Sequence, residues 1–395
     1  MSGPSLGKLL VVQGGGPTPV LNASLFAVID EAARSGRFAQ LLGARFGIQG
    51  MLKGDWINLS AIGANELQRL RHSPGASLGS TRYCPTAAEL EKVVQLLHEE
   101  DIRTLLLIGG NGSMRGAAVI DAAARESKTN LYVIGVPKTI DNDIAGTDRC
   151  PGFASAARYT AQAVRDLGMD VRTLPQPVSI FETMGRSVGW LAASSVLAKL
   201  DEGHSPHLVY LPERPFDLER FTGDVDRVVS VRGWAVVVVA EGIRNDRGEA
   251  LYESAAASQR DALNRALPGG VAAYLADVVT QRLKIRCRSE KPGLCGRSSV
   301  LHASAVDRAD AEAVARHAVR AAMERQTGMM VTLLPFQEDD DAPRCDLVSL
   351  NGEHVERAIP RHWLSENDNT VVAPAFVNYA KRLVGELVDY APPLL

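Results

Sequence analysis

Seven consecutive residues, Pro137-Lys138-Thr139-Ile140-Asp141-Asn142-Asp143, bring together an ammonium, a hydroxyl and two carboxylates. Carboxylates at i and i+2 can divide labour: one accepts a proton, the other holds a divalent cation such as Mg²⁺, and the lysine neutralises a phosphate. The same residues also fit a polar turn in which Thr139 and Asp141 cap a following helix. They follow Asn130 to Val136, whose Leu131, Val133, Ile134 and Val136 read as a buried strand. The polar groups thus emerge at a strand's C-terminal end, where open α/β sheets keep their chemistry.

Two glycine-rich turns stand in the same relation to strands. Lys8 to Gln13 reads as a strand that runs into Gly14-Gly15-Gly16-Pro17-Thr18-Pro19 and a helix from Asn22 to Ser35. Thr104 to Ile108 is a second aliphatic strand, followed by Gly109-Gly110-Asn111-Gly112-Ser113 and a helix through Ala124. Glycines at such a turn let backbone N–H groups approach a phosphate, and the helix N-terminus adds favourable partial charge. One such turn is also explained by saving space; the repeated unit points to a shared polyphosphate site. Between the two, Leu41 to Phe46 reads as a strand, Gly47 to Met51 as a turn and Ala87 to Glu100 as an amphipathic helix. Gly75 to Arg82 has no period, and Arg82 is either a phosphate clamp or a surface arginine.

Strand ends keep delivering polar residues further along. Phe153 to Leu167 is helical, and Val178 to Phe181 is a short strand leading into Glu182-Thr183-Met184-Gly185-Arg186. Ser187 to Ala198 reads as a helix, Leu208 to Leu211 and Trp234 to Ala240 as strands, the latter ending at Glu241-Gly242. A helix from Gly270 to Lys284 precedes a basic stretch holding Arg286, Arg288, Lys291 and Arg297, which suits an anionic substrate or a solvated loop. An alanine-rich helix over Asp307 to Thr327, a strand over Met329 to Leu334, a solvated acidic run Glu338 to Asp341 and a helix over Val371 to Leu387 complete the chain.

Composition excludes several classes. With 395 residues, 46% hydrophobic and 23% charged, the chain has the length of two domains and the make-up of a soluble globular protein. A net charge of -3 supplies no global basic field for nucleic acid. The apolar runs are too short to span a bilayer and no signal peptide is evident, so a cytoplasmic location is expected. The five cysteines show no zinc-type spacing and read as free thiols, and no histidine sits in a ligand or triad pattern.

Taken together, these motifs are similar to the phosphofructokinase family, most of all its pyrophosphate-using branch. The resemblance runs from Gly14-Gly15-Gly16-Pro17-Thr18-Pro19-Val20-Leu21-Asn22-Ala23 to Ala375-Phe376-Val377-Asn378-Tyr379-Ala380, and Pro137 to Asp143 with Met184-Gly185-Arg186 are its most specific parts. It implies two α/β domains with mainly parallel, helix-covered sheets, and transfer of a phosphoryl group to the 1-hydroxyl of fructose 6-phosphate with Mg²⁺. By position, Asp141 resembles the general base, with Lys138, Thr139 and Asp143 beside it. Met184, Gly185, Arg186 and Glu241 match sugar-binding positions; Gly15, Arg82, Gly110, Asn111, Gly112 and Ser113 match donor positions; Arg288 and Arg297 match arginines at the sugar phosphate and the transferring group. Asn111 and Asp143 are the implied metal ligands. The domains implied are 1–152 with about 298–335 for the donor, and 153–297 with about 336–395 for the sugar phosphate. Homodimers or homotetramers are the implied assembly.

The chain departs from the family pattern in three places. Asn111 stands where an aspartate is usual. Lys138 is typical of pyrophosphate users and Gly112 of ATP users, while the first glycine loop resembles the pyrophosphate branch. Leu294, Gly296 and Pro177 replace residues that usually serve the acceptor, leaving Arg172, Arg286 or Lys291 to take their place or another sugar or polyol to be the acceptor. Pyrophosphate is the expected donor. An ATP-dependent kinase of the same fold is the alternative, and a non-catalytic sugar-phosphate-binding subunit is disfavoured because Thr139, Asp141, Asp143 and Arg186 are all retained.

Overall fold

The computed structural model describes residues 5–81, 83, 85–175, 177–251, 270–337, 342–352, 356–365 and 372–391. In chain order the elements are β1 (Lys8–Gln13), α1 (Leu21–Ser35), β2 (Gln40–Ala44), α2 (Ile48–Lys53), β3 (Trp56–Asn58), α3 (Ala64–Arg71) and α4 (Ala87–Glu99). Next come β4 (Ile102–Gly109), α5 (Asn111–Glu126), β5 (Tyr132–Pro137), α6 (Phe153–Thr173), β6 (Val178–Thr183), α7 (Trp190–Ser194) and β7 (Leu208–Tyr210). The chain continues through α8 (Leu218–Arg232), β8 (Ala235–Ala240), α9 (Val271–Leu283), β9 (Cys287–Glu290) and α10 (Leu294–Ser298). It closes with α11 (Ala305–Met323), β10 (Met329–Leu333), β11 (Cys345–Ser349) and α12 (Pro374–Val384). Two compact units result, Met1–Phe153 with Ser298–Glu356 and Ala154–Arg297 with Arg357–Leu395.

The first unit is a seven-stranded sheet in the order β11-β10-β5-β4-β1-β2-β3. Its inner strands are parallel, and β3 and β11 are antiparallel edges. Helices cover both faces, so the aliphatic strands are buried on both sides and show no alternation in polarity. Leu9 and Val11 of β1 point into a core shared with α1 and α11, while Leu10 and Val12 point into the opposite core with α4 and α5. Ala315, Ala318 and Ala322 of α11 are wholly buried, which lets that helix lie close against α1. Residues beyond about 335, expected with the second domain, instead stay with the first as far as Glu356. The reason is β11, which pairs with β10 from Met329↔Ser349 to Leu333↔Cys345.

The second unit carries a four-stranded parallel sheet, β7-β8-β6-β9. Its returning C-terminal segment is fastened by Trp190, fully buried, which touches Trp363, Phe376 and Tyr379 and lies under the Arg357 guanidinium at 4.3 Å. The stretch around Arg288, read as a basic loop, is in part an edge strand: Cys287–Glu290 pairs with Val178–Phe181. Its side chains stay largely outside the core, so no burial period marks it. Gly47 to Met51, expected as a turn, mostly forms α2, with Gly47 at φ 66° before its first residue and Met51 wholly buried. Residues 187–189 precede α7 rather than belonging to it, and the helix passes into a 3₁₀ turn at Ser195–Ala198. The described cysteines, Cys150, Cys287, Cys295 and Cys345, are free thiols. Cys84 and the acidic run from Glu338 to Asp341 lie outside the described residues.

Candidate active site

In the first unit β5, β4 and β1 are neighbours and parallel, so the loops after them open at one edge of the sheet. The chain runs outward to β2 on one side and to β5 on the other, which puts the topological switch between β1 and β4. Ser113, in the first turn of α5, is wedged between both strand ends. A Cβ on Gly109 would lie 2.0 Å from its hydroxyl oxygen and a Cβ on Gly14 2.5 Å, so these two glycines are required by packing alone. Gly15, at φ 74°, lies beside Lys138, whose Nζ would be 3.3 Å from a Cβ placed there. Lys138 is buried and donates to the Gly16 carbonyl at 2.8 Å, while its backbone N–H donates to Gly109 O at 3.0 Å. The lysine after β5 therefore delivers its charge to the glycine loop after β1.

The carboxylate loop is held by its own polar groups. Thr139 accepts the Asp141 N–H on its hydroxyl at 3.1 Å and donates its own N–H to Pro151 O at 3.1 Å. Asn142, fully buried, adopts φ 56°, a left-handed conformation that asparagine tolerates better than most residues, and accepts the Cys150 N–H at 2.9 Å. Asn111, first residue of α5, donates its amide to Asp143 Oδ2 at 2.8 Å and to the Asp143 carbonyl at 3.3 Å. Asp143 Oδ1 is buried with no hydrogen-bond partner among the described residues. Burial, and after it the charge of Glu356, holds the Asp143 carboxyl above the usual carboxylate range, against hydrogen bonds from Thr139 and Asn111. An orphaned, buried carboxylate oxygen fits a divalent cation. No cluster of three His, Cys, Asp or Glu able to hold a metal occurs among the described residues, so the remaining ligands would come from a bound phosphate and water.

In the second unit the ends of β6 and β8 are adjacent, with the Glu241 N–H donating to Thr183 O at 2.9 Å. Gly185 sits at φ 124°, and a Cβ on Gly242 would fall 1.8 Å from the Arg186 carbonyl oxygen, so the Met184-Gly185-Arg186 turn and the Glu241-Gly242 turn press together. Burial, then the Glu182 carboxylate, pushes the Glu241 carboxyl up to about 7, with Lys291 and Arg186 opposing the shift. Glu182 was not among the expected site residues. Its buried carboxylate accepts the N–H groups of Gly270 and Ala272 at 3.0 Å, capping α9, and pairs with Lys291 Nζ at 3.2 Å. A charged residue within the otherwise apolar run before Thr183 was the available signal, because a buried charge must be paired.

Arg288 lies exposed on β9 and Arg297 half-buried on α10. Leu294, in place of a polar acceptor contact, is 62% exposed. Of the cations weighed as substitutes, Lys291 is tied to Glu182, Arg286 is exposed and Arg172 is half-buried in the last turn of α6. The structure thus groups Gly15, Gly110, Asn111, Gly112, Ser113, Lys138, Thr139, Asp141 and Asp143 on three adjacent loops of the first unit, and Met184, Gly185, Arg186 and Glu241 on two adjacent loops of the second. Arg82 lies outside the described residues.

Against known families, the phosphofructokinase model matches residues 8–322. The chain belongs to the phosphofructokinase family. It is 39% identical over 392 residues to the pyrophosphate–fructose 6-phosphate 1-phosphotransferase of Xanthomonas campestris pv. campestris (strain B100), covering 96% of this chain and 92% of that one. A sulfofructose kinase from Alkalicoccus urumqiensis is 35% identical over 327 residues, 82% of each chain. The crystal structure of a pyrophosphate-dependent phosphofructokinase from Marinobacter aquaeolei superposes with a TM-score of 0.86 at 30% identity, covering 98% of this chain and 93% of that one. The parallel, helix-covered α/β architecture is the one this family shares, and no described helix is long and apolar enough to cross a membrane.

Proposed function

We propose that this member of the phosphofructokinase family moves a phosphoryl group from pyrophosphate to the 1-hydroxyl of fructose 6-phosphate. The observation that carries the donor is Lys138, whose buried ammonium is held against the Gly15-Gly16 loop as a point charge suited to a compact polyanion. Asp141 acts as general base: its carboxylate takes the proton from the 1-hydroxyl as the new O–P bond forms, and the bridging P–O bond of pyrophosphate breaks to release phosphate. Arg186 and Glu241 hold the sugar, Arg288 and Arg297 meet its phosphate and the transferring group, and Lys138 with the first turn of α5 steadies the donor. The family needs a divalent metal; Mg²⁺ fits the Asp143 carboxylate and, when bound, offsets charge on the phosphoryl oxygens. Residues 1–153 with 298–356 form the donor domain in this reading and the other unit the sugar-phosphate domain. A homodimer or homotetramer is the assembly in this reading, which light scattering would read directly.

ATP as donor is the second reading, favoured by Gly112. A Cβ there would meet nothing within 4 Å, so the position is open to a larger donor. The deciding experiment is the initial rate on fructose 6-phosphate with Mg²⁺ and either pyrophosphate or ATP as sole donor. Activity with pyrophosphate alone supports the reading, and activity with ATP alone overturns it. Silence with both moves attention to the acceptor at Leu294, beginning with the sulfofructose named for one relative.

A further inference from the structure

The Asn111 side chain can be oriented from its partners. Both atoms it approaches on Asp143, the Oδ2 carboxylate oxygen at 2.8 Å and the backbone carbonyl oxygen at 3.3 Å, only accept hydrogen bonds. The NH₂ end must therefore face Asp143, and the amide oxygen is turned elsewhere. This bond joins the N-terminus of α5 to the loop after β5, 32 residues away in sequence. A carboxylate at the same position would set two negative groups at 2.8 Å, an arrangement that repels unless a cation or a shared proton lies between them. The amide instead holds the loop with a donated hydrogen bond and adds no charge.

We infer that Asn111 is a positioning residue, a metal-free latch that holds the Asp143 carboxylate in place before any cation arrives. Asp143 Oδ1, buried and without a hydrogen-bond partner among the described residues, is left as the oxygen for that cation. One carboxylate is enough for a magnesium ion whose other ligands are phosphate oxygens and water. The latch stands on these contacts and does not depend on which donor is used.

The test compares wild type with Asn111→Asp, without donor, by thermal melting in EDTA and again with Mg²⁺. Wild type should melt at the same temperature in both, and N111D should melt about 2 °C or more lower in EDTA and regain it with Mg²⁺. N111D as stable as wild type in EDTA, or wild type gaining as much from Mg²⁺ as the variant, overturns the latch. Electron paramagnetic resonance of Mn²⁺ added to wild type gives a second readout that does not require the variant to fold. Mn²⁺ held only once pyrophosphate is present supports the inference; Mn²⁺ held tightly without it overturns the inference. Mn²⁺ held in neither condition counts against the pyrophosphate reading, while the EDTA comparison still judges the latch.

Discussion

Replacing Glu241 by glutamine tests whether the turns at Met184-Gly185-Arg186 and Glu241-Gly242 keep a buried charge that the fold would be more stable without. The carboxyl has an ordinary value of 4.5, and burial with the neighbouring Glu182 carboxylate raises it to about 7 in the folded chain. A difference of about 2.5 units, at about 1.36 kcal/mol per unit, is on the order of 3 kcal/mol. The sign follows from the direction of the shift. Folding favours the protonated form, so this contribution is fully present below the unfolded value and is lost as pH rises through about 7. Glutamine carries no charge at any pH and loses nothing. Urea unfolding at about pH 5 and about pH 8 should therefore show E241Q gaining on wild type by roughly 2–3 kcal/mol between the two conditions. The same variant should bind the sugar phosphate more weakly, seen as a raised KM. A stability difference that does not change with pH, or a variant less stable than wild type at the higher pH, refutes the reasoning.

Three further outcomes are expected. Asp141→Asn should lower kcat by about 10²–10⁴-fold with little change in the donor KM, as loss of a general base requires; turnover near wild type removes Asp141 from that role. Gly112→Asp should fold normally, because a side chain there meets open space and an acid in the first turn of α5 suits the helix N-terminus. Any ATP use should fall far more than pyrophosphate use, and equal loss in kcat/KM with both donors counts against position 112 as a selector. Asp310→Ala removes the bidentate partner of Arg149, a pair with bonds of 2.7 and 2.8 Å and side chains 2% exposed, and should lower stability by about 3–5 kcal/mol in urea unfolding. A loss below about 1 kcal/mol would mean that other contacts of Arg149, among them Asp148, Leu334 O and the Phe336 ring, suffice for it.

Much of the scaffold was legible because its signals are local. β1, β4, β5 and β8 are aliphatic runs of the right length, α1 follows a glycine turn, and α4 carries a one-sided apolar stripe. Most elements not expected from the sequence lack such marks. β9 is a short edge strand with largely exposed side chains, β11 is a short edge strand that is only half-buried, and α3 buries no residue completely. Helix α8 was readable and missed, since Asp217 caps its N-terminus and Gly233 ends it at φ 80°.

Sequence by itself determined which chemical groups the chain owns and that they sit at strand ends: the lysine, threonine and two aspartates after β5, the glycine turns after β1 and β4, and the Met184-Gly185-Arg186 turn after β6. Those are properties of neighbours along the chain, set by residue type and period. Only the tertiary structure decided which of these ends are adjacent, because strand order depends on pairings between segments far apart, such as Val12 with Leu107 and Gly109 with Pro137. It likewise decided that the Lys138 ammonium serves the Gly15-Gly16 loop, that the Asn111 amide turns its nitrogen to Asp143, and that Glu182 is shared between α9 and Lys291. The Lys138 ammonium and the Glu182 carboxylate are taken out of water, and a buried polar group must find its partner wherever the fold has put one.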